Sequence, residues 1–502
     1  MKIRIFYISF LIFCLSCENG EKKNNSSILD SSKDLIINAE IITPSYIGNG
    51  VQWGGYDILE TWTGNPSLTE NDWTKLFERV HFMHPSIVRI MISDGWNYLV
   101  DNKYNPSKSD AVLLKILDFC QQEGISVLLG EWGHTGGNVI DQKWLENSAC
   151  FLQWLIVTKG YSCIRYFNMV NEPNGSWSTI NGNYALWISL IEQYHAKLIE
   201  KGIDSKIKLT GPDVAVWNTS LTSWIRNTQS DLGTIMATFD IHTYPKETEV
   251  RDGRYQEMIQ AYKEVAPVSK DMLMTEFGFK YGTLSELGIQ NALRISADKY
   301  ASDDSNMFVY DAFYGIDVAD AVIQNMLAGY AGVILWDLDD AMYNIDATGS
   351  TKLKRWGFWN ILGSERFENP ADENIRPWFY PASLLCRYFP QGTSIHSVTL
   401  PDKVGLRAVA GEKDGQYSIA IVNSNTVTYT VNLRMEEGTA LTGLSIYNYK
   451  SGEKAAFTGT LDENGFAKPD STGITLDLRK SAVKQLEVPA RSFCLITNMN
   501  NL

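Results

Sequence analysis

Several motifs that would name a chemistry are missing from this 502-residue chain. No GxGxxG follows a strand-like segment, so a dinucleotide-binding fold has no support. No HxH occurs, and the five cysteines beyond residue 17 (Cys120, Cys150, Cys163, Cys386 and Cys494) show neither CxxC nor a Cys/His spacing that would hold zinc. Their odd number and apolar surroundings make buried thiols the default, with one disulfide such as Cys150–Cys163 left open. Positive charge is also short: 44 Lys and Arg stand against 58 Asp and Glu, a net charge of −14. Such a surface repels nucleic-acid phosphates and anionic membranes, and it disfavours a polyanionic substrate. There is no repeat of fixed period and no long low-complexity tract.

What is present begins with a targeting signal. Lys2 and Arg4 precede an apolar run from Ile5 to Leu15, too short to span a bilayer as a helix. The segment CLSC, followed by the polar ENGEKKNNSS, resembles a bacterial lipoprotein signal with Cys17 as the lipidated residue. Cys14 stands where Leu is usual, and an ordinary secretory peptide is the other reading. Either way the chain is expected outside the cytoplasm. It would be lipid-anchored in the cell envelope (at the outer membrane or cell surface) or else secreted or periplasmic, and monomeric. Residues 1–17 would be the signal and 18–33 a flexible tether.

From 46 to 390, short β-branched runs alternate with amphipathic helical segments, the pattern of βα units around a parallel sheet. Eight strands are predicted, at 46–55, 86–93, 125–132, 165–172, 207–213, 237–244, 272–279 and 332–339. Helices are predicted in between, for example at 69–83, 110–124, 186–202 and 317–330, two of them stopped by Gly124 and Gly202. Eight such units predict a closed (β/α)8 barrel rather than an open sheet. After 390 the texture becomes short β segments separated by turn residues, which predicts an antiparallel β-sandwich over 391–502, with a strand from 34–45 joining it.

A (β/α)8 barrel concentrates function at the C-terminal ends of its strands. Those ends carry Trp53, Arg89, Asp94, Glu131, Trp132, His134, Asn171, Glu172, Asp213, His242, Tyr244, Glu276, Trp336 and Asp337. Glu172, in NMVNEPNGSW, ends the fourth strand with Pro173 halting it; Glu276, in MLMTEFGF, ends the seventh. Two carboxyl groups facing one cleft suit cleavage of a glycosidic bond, one protonating the leaving oxygen and the other attacking the anomeric carbon. Arg89 and Tyr244 are placed to hold Glu276 ionised, Asn171 to bond a sugar hydroxyl, and Trp336 to floor the cleavage point. Glu131, Trp132, His134, His242 and Trp53 have two readings each: substrate contact, or a salt bridge, loop anchor or core position. The same holds for Trp96 and for Trp356 and Trp359 in KLKRWGFWNILG. With 15 Trp, 24 Tyr and 20 Phe, some rings are expected as platforms for the apolar faces of sugars.

The NEP of the fourth strand, the TEFG of the seventh, Arg89 in VRI, the HTY of the sixth and a Trp ending the eighth together resemble clan A of the glycoside hydrolases. The resemblance covers residues 46–390 and is nearest to families 30, 39 and 79, with family 5 more distant. It implies a retaining double displacement with Glu172 as acid/base and Glu276 as nucleophile, supported by Asn171, Arg89 and Tyr244, without metal or cofactor. The expected substrate is a β-linked poly- or oligosaccharide cut internally. Exo-acting β-glycosidase, noncatalytic carbohydrate-binding lipoprotein and metal-dependent barrel hydrolase are the rival readings.

Overall fold

A computed structural model describes residues 31–57, 68–133, 139–340, 343–345, 351–452, 457–479 and 484–499. Cys17, the predicted signal and most of the tether lie outside the described residues, as does His134. No helix among the described residues is long and apolar enough to cross a membrane.

Eight parallel strands close into a barrel. They are β1 (Gly50–Gln52), β2 (Ile87–Ile92), β3 (Ser126–Glu131), β4 (Ile164–Asn168), β5 (Lys208–Val216), β6 (Thr238–Thr243), β7 (Met272–Phe277) and β8 (Gly332–Leu335). Each pairs in parallel with its neighbour in sequence, and β8 closes on β1 through Ile334–Gly50 and Leu335–Val51. The strands are nearly continuous apolar runs because a parallel sheet is covered on both faces. Gly50 is required at the closure: a Cβ there would sit 1.5 Å from the Ile87 carbonyl oxygen.

Helices α1 (Glu70–Met83), α2 (Leu113–Glu123), α3 (Gln142–Gln153), α4 (Tyr184–Glu200), α5 (Thr222–Leu232), α6 (Arg254–Val265), α7 (Ala312–Leu327) and α8 (Phe379–Arg387) follow the successive strands, with an additional helix Glu286–Ala297 before α7. Thr69 and Asp72 form a capping box at the start of α1, and Gly124 (φ 72°) and Gly202 (φ 67°) end α2 and α4 in the left-handed region. The helix layer buries one continuous core against the outside of the barrel.

Inside the barrel, Ile47, Ile87, Leu128, Tyr166, Leu273, Ala331 and Ile334 form a separate apolar plug. Two residues further along their strands, toward the C-terminal mouth, stand Arg89, Gly130, Asn168, Thr275 and Trp336. The period of two thus turns an apolar floor into a polar layer above it.

The second unit is a mostly antiparallel β-sheet structure built from Ser394–Thr399 through Ser492–Thr497, with its own core of Leu406, Ala408, Ile419, Ile421, Val431 and Leu433 among others. The N-terminal strand Asp34–Thr43 lies in this sheet, antiparallel to Ser394–Thr399 and parallel to Tyr429–Met435, and contributes Leu35 and Ile37 to that core. The molecule is a TIM barrel with a β-sandwich domain. Arg407, 3.2 Å from Asp320, and Tyr449, donating to the Ala312 carbonyl at 2.8 Å, fasten the sandwich to α7.

Candidate active site

The polar layer at the barrel mouth converges on one cation. Arg89, with no solvent exposure, donates through Nη1 to Glu276 Oε2 at 2.7 Å and through Nη2 to Asn171 Oδ1 at 2.7 Å. Nη2 also reaches Asp213 Oδ2 at 3.2 Å, and Nη1 lies 3.4 Å from Gln52 Oε1. A planar guanidinium can hold several acceptors at fixed angles, which a lysine ammonium cannot. The carboxylates beside Arg89 raise its already high pKa against the opposing effect of burial.

Glu276 receives a second hydrogen bond from the Tyr244 hydroxyl. Strand parity alone would turn Glu276 away, because its neighbour Thr275 already points inward to donate to Asp240 Oδ2 at 2.9 Å. A register shift between Met274 and Glu276 in the pairing with β6 brings both consecutive residues to the interior.

Glu172 arrives differently. Strand β4 ends at Asn168, four residues short of the predicted boundary, and Met169–Glu172 continue irregularly, with Glu172 at φ 47°. The Glu172 N–H points at Asp213 Oδ2 (3.3 Å) and its carboxylate accepts twice: Oε1 from His242 Nδ1 at 3.0 Å, Oε2 from Trp177 Nε1 at 2.6 Å. One carboxylate oxygen from each of Glu172 and Glu276, together with a His242 ring nitrogen, lie within 4.8 Å of one another.

His242 is fully buried, with Nε2 2.7 Å from Asp213 Oδ1. Burial disfavours its charged form, but Asp213 and then Glu276 outweigh that and push it up to about 10. The ring is therefore an imidazolium whose Nδ1–H donates to Glu172. The same two cations, His242 and Arg89, hold Asp213 below the usual carboxylate range in spite of its burial. Asp240 moves the other way, raised by burial and by the charge of Asp213, so it carries a proton at neutral pH. Its Oδ1 accepts from the Asp213 N–H at 2.7 Å.

A histidine raised above its unfolded value stabilises the fold fully below pH about 6.5 and loses that contribution as pH rises through about 10. Stability is expected to fall over this window by up to about 1.4 kcal/mol per pH unit from this one group. Denaturant unfolding at pH 6, 8 and 10 should show a steeper decline for the wild type than for His242→Asn; parallel curves would mean that His242 is not charged at neutral pH.

Around the carboxylates, Tyr244, Trp336 and Trp356 form a small buried aromatic cluster, with Trp96 and Trp132 packed against it. Trp356 meets Tyr244 edge to face at 5.5 Å, and Trp96 meets Trp132 at 6.4 Å. The cis peptide Trp336–Asp337 follows β8.

Of the sequence-predicted site residues, Glu172, Glu276, Arg89, Asn171, His242, Tyr244 and Trp336 meet at the mouth, and Trp132 flanks them. Two do not. Trp53 is 1% exposed and packs edge to face on Phe77 of α1 and Phe119 of α2, because Gln52 takes the inward position on its strand. Glu131 also faces the helix layer, accepting from the Tyr98 hydroxyl at 2.5 Å; burial pushes it up to about 8. Its neighbour Trp132 takes the inward position. The five cysteines among the described residues are free. Sequence reasoning overlooked Trp177 altogether, although it stands five residues past Glu172 in the same quoted segment.

Glu172, His242 and Glu276 also offer ligand atoms close enough for a cation. Arg89 already pairs with Glu276 and His242 with Glu172, so a metal ion would have to displace two built-in partners. The donor set does not fit one well.

Solved structures that share this fold include several glycoside hydrolases. A family 30 subfamily 8 xylanase from Clostridium acetobutylicum superposes with a TM-score of 0.57 at 15% identity, covering 92% of this chain and 99% of that one. An α-L-arabinofuranosidase from Thermotoga maritima gives 0.59 at 13% identity, covering 93% and 99%. A family 39 enzyme from Xanthomonas axonopodis pv. citri gives 0.55 at 12% identity, covering 92% and 96%. No protein-family model matches the sequence, and no curated relative does.

Proposed function

We propose that this protein is a retaining glycoside hydrolase that cleaves β-glycosidic bonds of a poly- or oligosaccharide, acting within the chain, from a lipid-anchored position in the cell envelope. The observation that carries the mechanism is the approach of a Glu172 oxygen to within 4.8 Å of a Glu276 oxygen. Retaining enzymes keep their carboxyl groups about 5–5.5 Å apart, whereas inverting ones leave roughly 6.5–9.5 Å for a water between acid and base.

In the first step a Glu276 oxygen attacks the anomeric carbon, and the C–O bond to the leaving group breaks as Glu172 gives that oxygen its proton. A covalent glycosyl-enzyme results. In the second step Glu172 takes a proton from water, the water oxygen attacks the same carbon, and Glu276 departs as carboxylate. Arg89 and the Tyr244 hydroxyl each donate a hydrogen bond to Glu276 and aim it. Asn171, whose oxygen is taken by Arg89, keeps its amide N–H2 for the hydroxyl next to the anomeric centre. Trp336 underlies the sugar.

The neighbours' names support a sugar substrate but span xylanase and α-L-arabinofuranosidase, so the anomer and ring form belong in the test. A panel of xylan, β-glucan, mannan and arabinan, with aryl β-pyranosides and α-L-arabinofuranosides, should be followed by product length and by NMR of the first-formed anomer. Oligomers with retained configuration and no sensitivity to chelators are expected. Inverted product would overturn the mechanism, exclusive monosaccharide release the internal cleavage, and chelator-sensitive turnover the metal-free site.

A further inference from the structure

The two most exposed tryptophans among the described residues stand together. Trp177 is 59% exposed and Trp217 49%, and their rings meet edge to face at 5.9 Å. Neither belongs to the buried aromatic cluster of Tyr244, Trp336 and Trp356, which sits beside Glu276 on the loops after β6 and β8. They occupy the opposite side, on the loops after β4 and β5, beside Glu172.

Their placement is fixed. The Trp177 Nε1–H donates to Glu172 Oε2 at 2.6 Å, and its six-membered ring lies so close over Gly175 that a Cβ there would come within 2.3 Å of it. Asn174, three residues earlier, clamps the next strand: its Nδ2 donates to the Ala215 carbonyl at 2.8 Å and its Oδ1 accepts from the Ala215 N–H at 2.9 Å. Trp217 follows Ala215 by two residues, so this double hydrogen bond ties the backbones that carry both rings. Two large apolar faces exposed at fixed geometry lose area to water with no folding gain, which marks a ligand platform.

We propose that Trp177 and Trp217 form a sugar-binding subsite on the leaving-group side of the scissile bond, selecting substrates whose aglycone is itself a saccharide. This rests on the proposed function. If Glu172 delivers its proton to the leaving oxygen, then the group bearing that oxygen must lie on the Glu172 side, where the corner made by the two rings receives the C–H face of its sugar. The reading explains why the aromatic surface is split in two: one set floors the sugar that is transferred, the other holds the sugar that leaves.

The test compares wild type, Trp217→Ala and Trp217→Phe on two probes made from the same sugar, a 4-nitrophenyl glycoside and an unmodified oligosaccharide. The ratio of kcat/KM for oligosaccharide over aryl glycoside should fall by about tenfold or more in Trp217→Ala, with Trp217→Phe recovering much of it. An unchanged ratio in a variant with a wild-type melting temperature would overturn the subsite and leave the glycosidase reading standing. A wild type that hydrolyses neither probe class would instead sink the glycosidase reading, and the subsite with it.

Discussion

Glu276→Ala is expected to lose roughly 10^4-fold or more in kcat/KM, and added azide should restore turnover by forming a glycosyl azide of inverted configuration. With the carboxylate gone, azide fits the space between Arg89, Tyr244 and the anomeric carbon and displaces the leaving group once, with Glu172 still supplying the proton. Glu172→Ala should behave in the opposite manner. A 4-nitrophenyl leaving group needs little acid assistance, so the covalent intermediate still forms. It then waits, because no base activates water, and azide attacks it to give retained configuration. Mass spectrometry of the stalled protein should find the glycosyl group on Glu276. Opposite product configurations from the two variants would assign the roles; the same configuration from both would exclude a double displacement through this pair. Both substitutions leave Arg89 in contact with Asp213, so a buried cation is not stranded in either.

How much of this was legible in the sequence differs by level. All eight barrel strands are visible as short, mostly apolar runs because burial on both faces leaves few polar positions, among them Arg89, Asp240 and His242. The parity of those runs was legible too, and it decides two of the corrections. On β1 the inward residue is Gln52 and on β3 it is Trp132, so Trp53 and Glu131 had to face the helices. A polar residue at a strand end is thus a site candidate only when its parity points inward. Parity fails at β7, where the register shift turns both Thr275 and Glu276 inward, and it fails at β4, where the strand stops at Asn168. These two departures position the two glutamates, and no periodicity announces them. The charge state of His242 was not legible at all. It depends on Asp213, which a different strand brings to 2.7 Å, and on Arg89 beyond it.

The same network makes Arg89 the most sensitive position for stability. Arg89→Leu is expected to cost about 3–5 kcal/mol, since it strands Asp213 and Glu276 beneath the barrel mouth with His242 as the remaining cation. Leucine is three heavy atoms smaller, so a small cavity adds to a loss that is mainly electrostatic. Its pH dependence has a definite sign. Asp213 in the wild type is held below its unfolded value by His242 and Arg89 against burial, so its stabilising contribution is present above pH about 4 and fades as pH falls. The leucine variant lacks much of that contribution, and the gap between the two proteins should therefore narrow on going from pH 4 to pH 2. Denaturant unfolding at both values measures it. If Arg89→Leu does not accumulate as folded protein, Arg89→Lys keeps the charge without the fork, and it should fold while losing activity through a misaimed Glu276. Adding Glu276→Gln to Arg89→Lys should then cost less than the two single effects summed, because both act on one ion pair. A cost below about 1 kcal/mol for Arg89→Leu, typical of a surface ion pair, would mean that the barrel mouth is wetter and its charges less coupled than this geometry implies.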